Sequence, residues 1–395
     1  MFAKRTDWKL TANQLTLRRK ALEDKGVPIL DLSESNPTRC QFKYLSTELL
    51  KPLTAAQNLS YDPDPRGLLE TRKTIADYYR AKQIFVDPNQ IFLTASTSEA
   101  YSFLFRLLLN PGERILVPRP GYPLFNFLTD LNDIEMDLYS LRYEGKWHID
   151  FQELRQACRP ETKAVILVNP NNPTGSYLKR QELAALVQLA KKKNLILICD
   201  EVFSNYSFLE DPERAVSTVN TKEVLTFTLE GISKTFGLPQ MKLAWIVASG
   251  PEVLVEQATE RLEMISDTYL SVSTPIQRAL PTWIALQEKI QKEIIARLRE
   301  NQTFLSETLT RFPSSQVLKA EGGWYAVIRI PRIRSEEEWA LEFLERDHVF
   351  VHPGYFFDFE EEAYLILSLL PPPRTFQEGV LRILSRIEKE GAAAK

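Results

Sequence analysis

Ala164-Val165-Ile166-Leu167-Val168 runs directly into Asn169-Pro170-Asn171-Asn172-Pro173-Thr174-Gly175, and Leu195-Ile196-Leu197-Ile198-Cys199 runs directly into Asp200-Glu201. Neither apolar run alternates with polar residues, and a helix-like stretch, Leu178–Lys193, separates them. Continuous apolar strands of this kind are buried on both faces, as parallel strands joined by crossover helices are. The same texture extends outward to Ile91–Thr94, Ile115–Val117, Leu225–Thr228 and Leu243–Ala248, with a second helical stretch at Ser98–Leu109. An α/β fold is predicted, with a large domain whose mostly parallel sheet is covered by helices on both faces. Ligands bind such sheets outside the carboxyl ends of the strands, so the residues after each apolar run are the candidates for chemistry.

The texture changes near residue 280. A long charged helix is predicted over Trp283–Phe312, then short strands at Trp324–Ile330, Val349–His352 and Tyr364–Leu369, and a final helix over Phe376–Glu390. This grouping reads as a smaller α+β domain. At the other end, a helix is predicted from Thr11, as N-cap, to Gly26, with Leu10, Leu15, Leu17 and Leu22 as an uneven apolar face. A strand at Ile29–Leu32 then leads to the Ser35-Asn36-Pro37-Thr38 turn. The 395 residues exceed what one ordinary core organises, so two domains are expected. No internal repeat is visible, and the one low-complexity piece is the Ala392–Lys395 tail, read as frayed.

The balance of 49 basic and 52 acidic residues, net −3, argues against a general nucleic-acid binder. No apolar run approaches the roughly 20 residues that span a bilayer, so no membrane partner is expected. The polar Met1–Leu10 segment lacks the apolar stretch of a signal peptide. With Cys40, Cys158 and Cys199 scattered, a reduced, cytoplasmic chain is expected. His348 and His352 could share a strand face, but with His148 they form no helical metal pair, and no metal site is expected.

Each strand-end segment has a plain and a chemical reading. Asp200 is either a charge entering a loop or an acid held against a protonated ring nitrogen. Lys234, in Gly231-Ile232-Ser233-Lys234-Thr235-Phe236-Gly237, is either a solvated loop lysine or a desolvated amine free to attack an aldehyde. The Asn169–Gly175 segment is a rigid turn, or a turn that also offers side-chain amides. Ser96, followed three residues later by Glu99, reads as a capping box. The helix start there, with Ser96, Thr97 and Ser98, is also a ready anion site. Tyr122, in Pro120-Gly121-Tyr122-Pro123, either packs or offers its face to an aromatic ring.

Taken together and in this order, the segments resemble those of the class I/II aminotransferases, enzymes of the fold-type I family that uses pyridoxal 5′-phosphate. The similarity runs from about Ile29 to Glu388 and rests on Asn-Pro-x-Asn-Pro-Thr-Gly, Asp-Glu-x-aromatic and Ser-Lys-x-Phe-Gly-x-Pro. The resemblance implies that Lys234 carries the cofactor as a Schiff base and shuttles the proton, and that Asp200 keeps the pyridine nitrogen protonated. It further implies that Asn172 contacts the phenolic oxygen, Tyr122 stacks on the ring, and Ser96, Thr97 and Ser98 form the phosphate cup. Ser35, Asn36 and Arg39 are the substrate-side candidates. Tyr61 resembles a tyrosine that reaches the neighbouring subunit's phosphate, which implies a homodimer with shared active sites. The corresponding domains are an N-terminal segment over 1–47 belonging to the small domain, a cofactor-binding domain over 48–281, and the small domain over 282–395.

The sequence departs from the family at four positions. Phe203 stands where a tyrosine usually donates to the phenolic oxygen. Lys242, eight residues after Lys234, replaces a phosphate-binding arginine. Gly231 replaces a hydroxyl residue of the phosphate cup. Ile366, in Tyr364-Leu365-Ile366-Leu367-Ser368, falls where an arginine grips the substrate carboxylate, so Arg39 is the first candidate substitute, ahead of Arg329 and Arg374. The reaction implied is amino-group transfer between an amino acid or amine and an oxo acid, through a pyridoxamine phosphate form. Ile366 and Phe203 keep open another reaction on the same fold, of lyase, retro-aldol or decarboxylase type. A non-enzymatic cofactor-binding domain lacks its usual DNA-binding extension here. A nicotinamide enzyme lacks its Gly-x-Gly-x-x-Gly.

Overall fold

The structure is a computed structural model that describes residues 1–8 and 11–393. Leu10 and the end of the Ala392–Lys395 tail lie outside those residues. In chain order the strands are β1 (Leu30–Asp31), then β2 (Ile91–Thr94), β3 (Arg114–Arg119), β4 (Glu135–Tyr143), β5 (Trp147–Ile149), β6 (Thr162–Val168), β7 (Ile196–Asp200), β8 (Thr226–Gly231) and β9 (Ala244–Ser249). They are followed by β10 (Gln316–Val317), β11 (Tyr325–Arg329), β12 (Val349–Phe350), β13 (His352–Pro353) and β14 (Tyr364–Ser368).

The large sheet has eight strands in the order β2-β9-β8-β7-β6-β3-β4-β5. The run β8-β7-β6-β3-β4 is parallel, and β9 is antiparallel to both of its neighbours. The predicted mostly parallel sheet is therefore present, and its apolar strands do face two cores. Ile166 and Ile198 pack under the helices Thr97–Leu108 and Glu252–Tyr269. Their neighbours Leu167, Leu197 and Cys199 pack under the helix Arg180–Lys193 on the other face. Successive side chains of a strand point to opposite faces, so burial on both sides requires an unbroken apolar run.

The smaller antiparallel sheet has the order β10-β11-β14-β13, and β1 pairs in parallel with β12. The predicted strand Val349–His352 is thus divided: β12 joins the N-terminal segment, while His352 pairs with Ile366 of β14. His348 ends the helix Glu336–Asp347 in the left-handed region, φ 55°, so it shares no strand face with His352. The N-terminal helix is shorter than predicted, Gln14–Asp24, because Asn13 rather than Thr11 caps it, accepting from the Thr16 N–H at 2.7 Å. The long helix is longer than predicted, Thr274–Leu309, and runs through Pro281. Burial of Ala279, Leu280 and Trp283 against the large domain outweighs the lost backbone hydrogen bond.

One contact ties the loop after β6 to the approach to β11. The Gly175 carbonyl accepts the N–H groups of Glu321 and Gly322, both at 3.1 Å, and Lys179 bridges Glu321 at 2.5 Å and Asp211 at 2.6 Å. Gly175 has φ +69°, and a Cβ there would sit 2.3 Å from the Gly322 carbonyl oxygen. Gly145 has a similar φ of +78° but open space around it. Gly175→Ala should therefore cost roughly 2–4 kcal/mol, and Gly145→Ala only about 1 kcal/mol, in denaturant unfolding. Equal costs would show that the 175–322 contact does not limit the fold.

Candidate active site

The carboxyl ends of β2, β3, β6, β7 and β8 lie along one edge of the large sheet. Because β9 runs the other way, its first residues reach the same edge. Ser96 follows β2, Tyr122 follows β3, Asn172 follows β6, Asp200 ends β7 and Lys234 follows β8, while Lys242 precedes β9. All of them line one cavity of about 290 Å³, together with Thr97, Ser98, Gly231 and Phe203. Ser35 and Tyr325 form the wall contributed by the N-terminal segment and the small sheet.

Asp200 sits on the cavity floor. Burial pushes its carboxyl up to about 7, against the Val202 N–H at 3.1 Å and the Tyr101 hydroxyl at 3.4 Å, which favour its charged form. Burial likewise lowers the Lys234 amine, and the Asp200 charge opposes that shift. The Lys234 Nζ lies 5.2 Å from the centre of the Trp324 ring, whose edge also meets Phe203 at 5.3 Å. A half-desolvated acid and a desolvated amine thus face one chamber, as a group that attacks an aldehyde requires.

The three asparagines of the β6 loop are not equivalent. Asn169 accepts the Leu178 N–H at 3.0 Å, and Asn171 accepts the Thr174 N–H and hydroxyl at 3.2 and 2.8 Å. The Asn171 amide nitrogen also donates to the Pro120 carbonyl at 3.3 Å, so both side chains are engaged within the protein. Asn172, by contrast, lines the cavity with a buried Oδ1 that finds no hydrogen-bond partner. A buried amide end without a partner is costly, and a polar atom of a bound group would relieve it.

Ser96 caps the helix Thr97–Leu108 and accepts the Glu99 N–H at 3.2 Å. The predicted capping box is incomplete, because the Glu99 carboxylate accepts from the Ala95 N–H and the Ser271 hydroxyl instead. The first N–H groups of that helix face the cavity at its positive end, which suits an anion such as a phosphate. Lys242 stands at the rim in a left-handed conformation, φ 53°. Gly231 has a local reason: it pairs with Ala244, and a Cβ there would meet the Ala244 Cβ at 2.8 Å. Amine, acid and anion-binding helix end together fit pyridoxal phosphate, which needs each of them.

Not every candidate lines the cavity. Arg39 does not: its side chain is 75% exposed and lies 3.8 Å from Glu34. The Asn36 side chain caps its own turn, accepting from Thr38. Tyr61 is 76% exposed and stands outside the cavity of its own chain. Ile366 is 1% exposed in an apolar cluster with Trp147, Val327 and Phe357. Its side chain shares a sheet face with Tyr325, which does line the cavity. The lining cations are Lys234 and Lys242. Sequence reading missed Tyr101, Trp324, Tyr325 and Tyr206. Tyr101 lies one helical turn beyond Thr97, which was its signal; the others come from distant parts of the chain.

A family model described as aminotransferase class I and II matches residues 27–373. The glutamate-pyruvate aminotransferase AlaA of Haemophilus influenzae is 26% identical over 372 residues, 92% of this chain and 91% of that protein. The alanine aminotransferase of Mycobacterium tuberculosis is 26% identical over 374 residues, 92% of this chain and 86% of that protein. Among solved structures, an alanine aminotransferase from Pyrococcus furiosus superposes with a TM-score of 0.90 at 24% identity, covering 98% of this chain and all of that one (100%). An aminotransferase from Escherichia coli gives 0.88 at 24% identity, covering 98% of each chain.

The raised Asp200 carboxyl has a stability consequence. Its folded value of about 7 lies above the ordinary 3.8, so the cofactor-free fold holds a proton that the unfolded chain releases. That contribution is full below about pH 4 and is lost as pH rises through 7, a change on the order of 4 kcal/mol at most. Cofactor-free Asp200→Asn should therefore be more stable than the parent at pH 8 in urea unfolding, with the difference closing toward pH 4. A less stable Asn variant at pH 8 would mean that Asp200 is already well partnered.

Proposed function

The chain belongs to the class I and II aminotransferase family, and from that premise we propose how its own residues carry out pyridoxal-phosphate-dependent transfer of an amino group to an oxo acid. Pyridoxal phosphate, when bound, supplies an aldehyde that condenses with amines and a protonated ring that withdraws electrons. Lys234 holds it covalently through Nζ. Burial keeps that amine available as a nucleophile, and Nζ is the group that would carry the proton away from the donor's α-carbon. A protonated ring nitrogen beside Asp200 would favour its charged form, so acid and ring would stabilise each other's ionised form.

The Asn172 Nδ2 would donate to the phenolic oxygen, and Tyr122 would cover one face of the ring. Ser96, Thr97 and Ser98 take the phosphate at the start of their helix, with Lys242 as a compact counter-charge and not a fork. Phe203 packs against Trp324 and, beside the phenolic oxygen, would exclude water without donating a hydrogen bond. Ser35 and Tyr325 meet the donor from the small-domain side. Tyr61, exposed on its own chain, reaches the phosphate of a second copy in a homodimer.

The observation that carries this reading is the convergence of Lys234, Asp200, Asn172 and a helix start in one cavity. The relatives named for alanine and glutamate–pyruvate transfer make L-alanine and L-glutamate the first donors to test. The loaded protein, mixed with each donor and no acceptor, should convert its cofactor absorption to that of the amine form, with one equivalent of oxo acid released. Adding pyruvate or 2-oxoglutarate should restore the original band. Release of ammonia or carbon dioxide in place of the oxo acid would contradict amino-group transfer.

A further inference from the structure

Lys234 lies in a helix of only four residues, Ile232–Thr235, and its carbonyl already accepts the Gly237 N–H at 3.1 Å. Side chains from three separate parts of the chain donate to carbonyls of this turn and of Gly237 just after it. The Tyr206 hydroxyl, from the segment after β7, donates to the Lys234 carbonyl at 2.6 Å and to the Thr235 carbonyl at 3.3 Å. The Gln291 amide, from the long helix Thr274–Leu309, donates to the Thr235 carbonyl at 2.7 Å. The Tyr44 hydroxyl, from the N-terminal segment, donates to the Gly237 carbonyl at 2.6 Å.

Tyr206 differs from the other two because it holds both ends of the lysine. It is fully buried, and its ring meets Trp324 edge-on at 5.2 Å, the ring over which the Lys234 Nζ lies. Its own carbonyl accepts the Gly323 N–H at 2.9 Å, next to Trp324. One residue thus fixes the lysine backbone through its hydroxyl and the wall beside the amine through its ring and main chain. We propose that Tyr206 is a positioning residue for Lys234, fixing the path of its Nζ between cofactor and donor, with Gln291 bracing the same turn. The inference rests on Lys234 being the cofactor-bearing lysine.

The physical reason is reach. Nζ stands at the end of four rotatable carbons, and rotation of the backbone turn that carries it is magnified along that length. Proton transfer needs close placement, whereas donor binding depends on the cavity walls. Loss of the tether should therefore lower the rate of the chemical step and leave donor affinity alone; misplacement of this order costs roughly 10- to 100-fold.

Tyr206→Phe keeps the ring and its contact with Trp324 and removes only the hydroxyl. In the cofactor-free and loaded proteins, amide hydrogen exchange read by mass spectrometry should accelerate in the peptide over 232–238 and stay unchanged elsewhere. In single turnover with L-alanine and 2-deuterated L-alanine, the loaded variant should react roughly 10- to 100-fold more slowly at saturation, with half-saturation within about twofold of the parent and a larger deuterium effect. Unchanged exchange over 232–238 overturns the proposal, and so does faster exchange with an unchanged rate. If the parent itself fails to react with L-alanine, the donor assignment fails instead, and the exchange measurement decides the role of Tyr206 alone.

Discussion

Everything at the site depends on two ionisable groups being denied water in one chamber. Burial drives the Asp200 carboxyl toward its protonated form and the Lys234 amine toward its neutral one. Either shift alone would be a cost to the fold. Together they prepare the chain for a guest that brings an aldehyde for the amine and a basic ring nitrogen for the acid. The protein forgoes stability in its empty state and recovers it when the guest binds, a division that active sites commonly show.

The sheet makes this arrangement possible. Parallel strands deliver their carboxyl ends to a single edge, so groups separated by tens of residues meet without long loops. The antiparallel β9 adds a second device, since its beginning arrives where its neighbours end. Lys242 and Ala244 reach the cavity in this way, and the close Gly231–Ala244 pair excludes any side chain at position 231. A hydroxyl side chain at position 231 is thus ruled out by strand packing. Lys242 at the rim and the N-terminus of the helix Thr97–Leu108 remain to balance an anion.

The large domain was legible because its signals are local. An apolar run buried on both faces writes itself directly into sequence, and Asp200 and Lys234 stood out because each directly ends or follows such a run. Boundaries shifted where a tertiary contact outweighed a local preference, as at Pro281, where buried Leu280 and Trp283 carry the helix onward. For Arg39, the place in the Asn36-Pro37-Thr38 turn is sequence information, but the direction of its exposed side chain is not. Tyr206 and Gln291 carried no signal at all. Their hydrogen bonds join residues 28 and 56 positions apart, and no periodicity records that a distant hydroxyl ends on the lysine's carbonyl.

The central claim is that the buried amine of Lys234 is the covalent anchor of the cofactor. Reducing the pyridoxal-phosphate-loaded protein with borohydride fixes the linkage, and peptide mapping by mass spectrometry then reads where it formed. The account requires the pyridoxyl mass on the peptide that contains Lys234, at close to one equivalent per chain, and its disappearance from that peptide in Lys234→Ala. A label on Lys242, or one spread over exposed lysines while Lys234 stays unmodified, would contradict it.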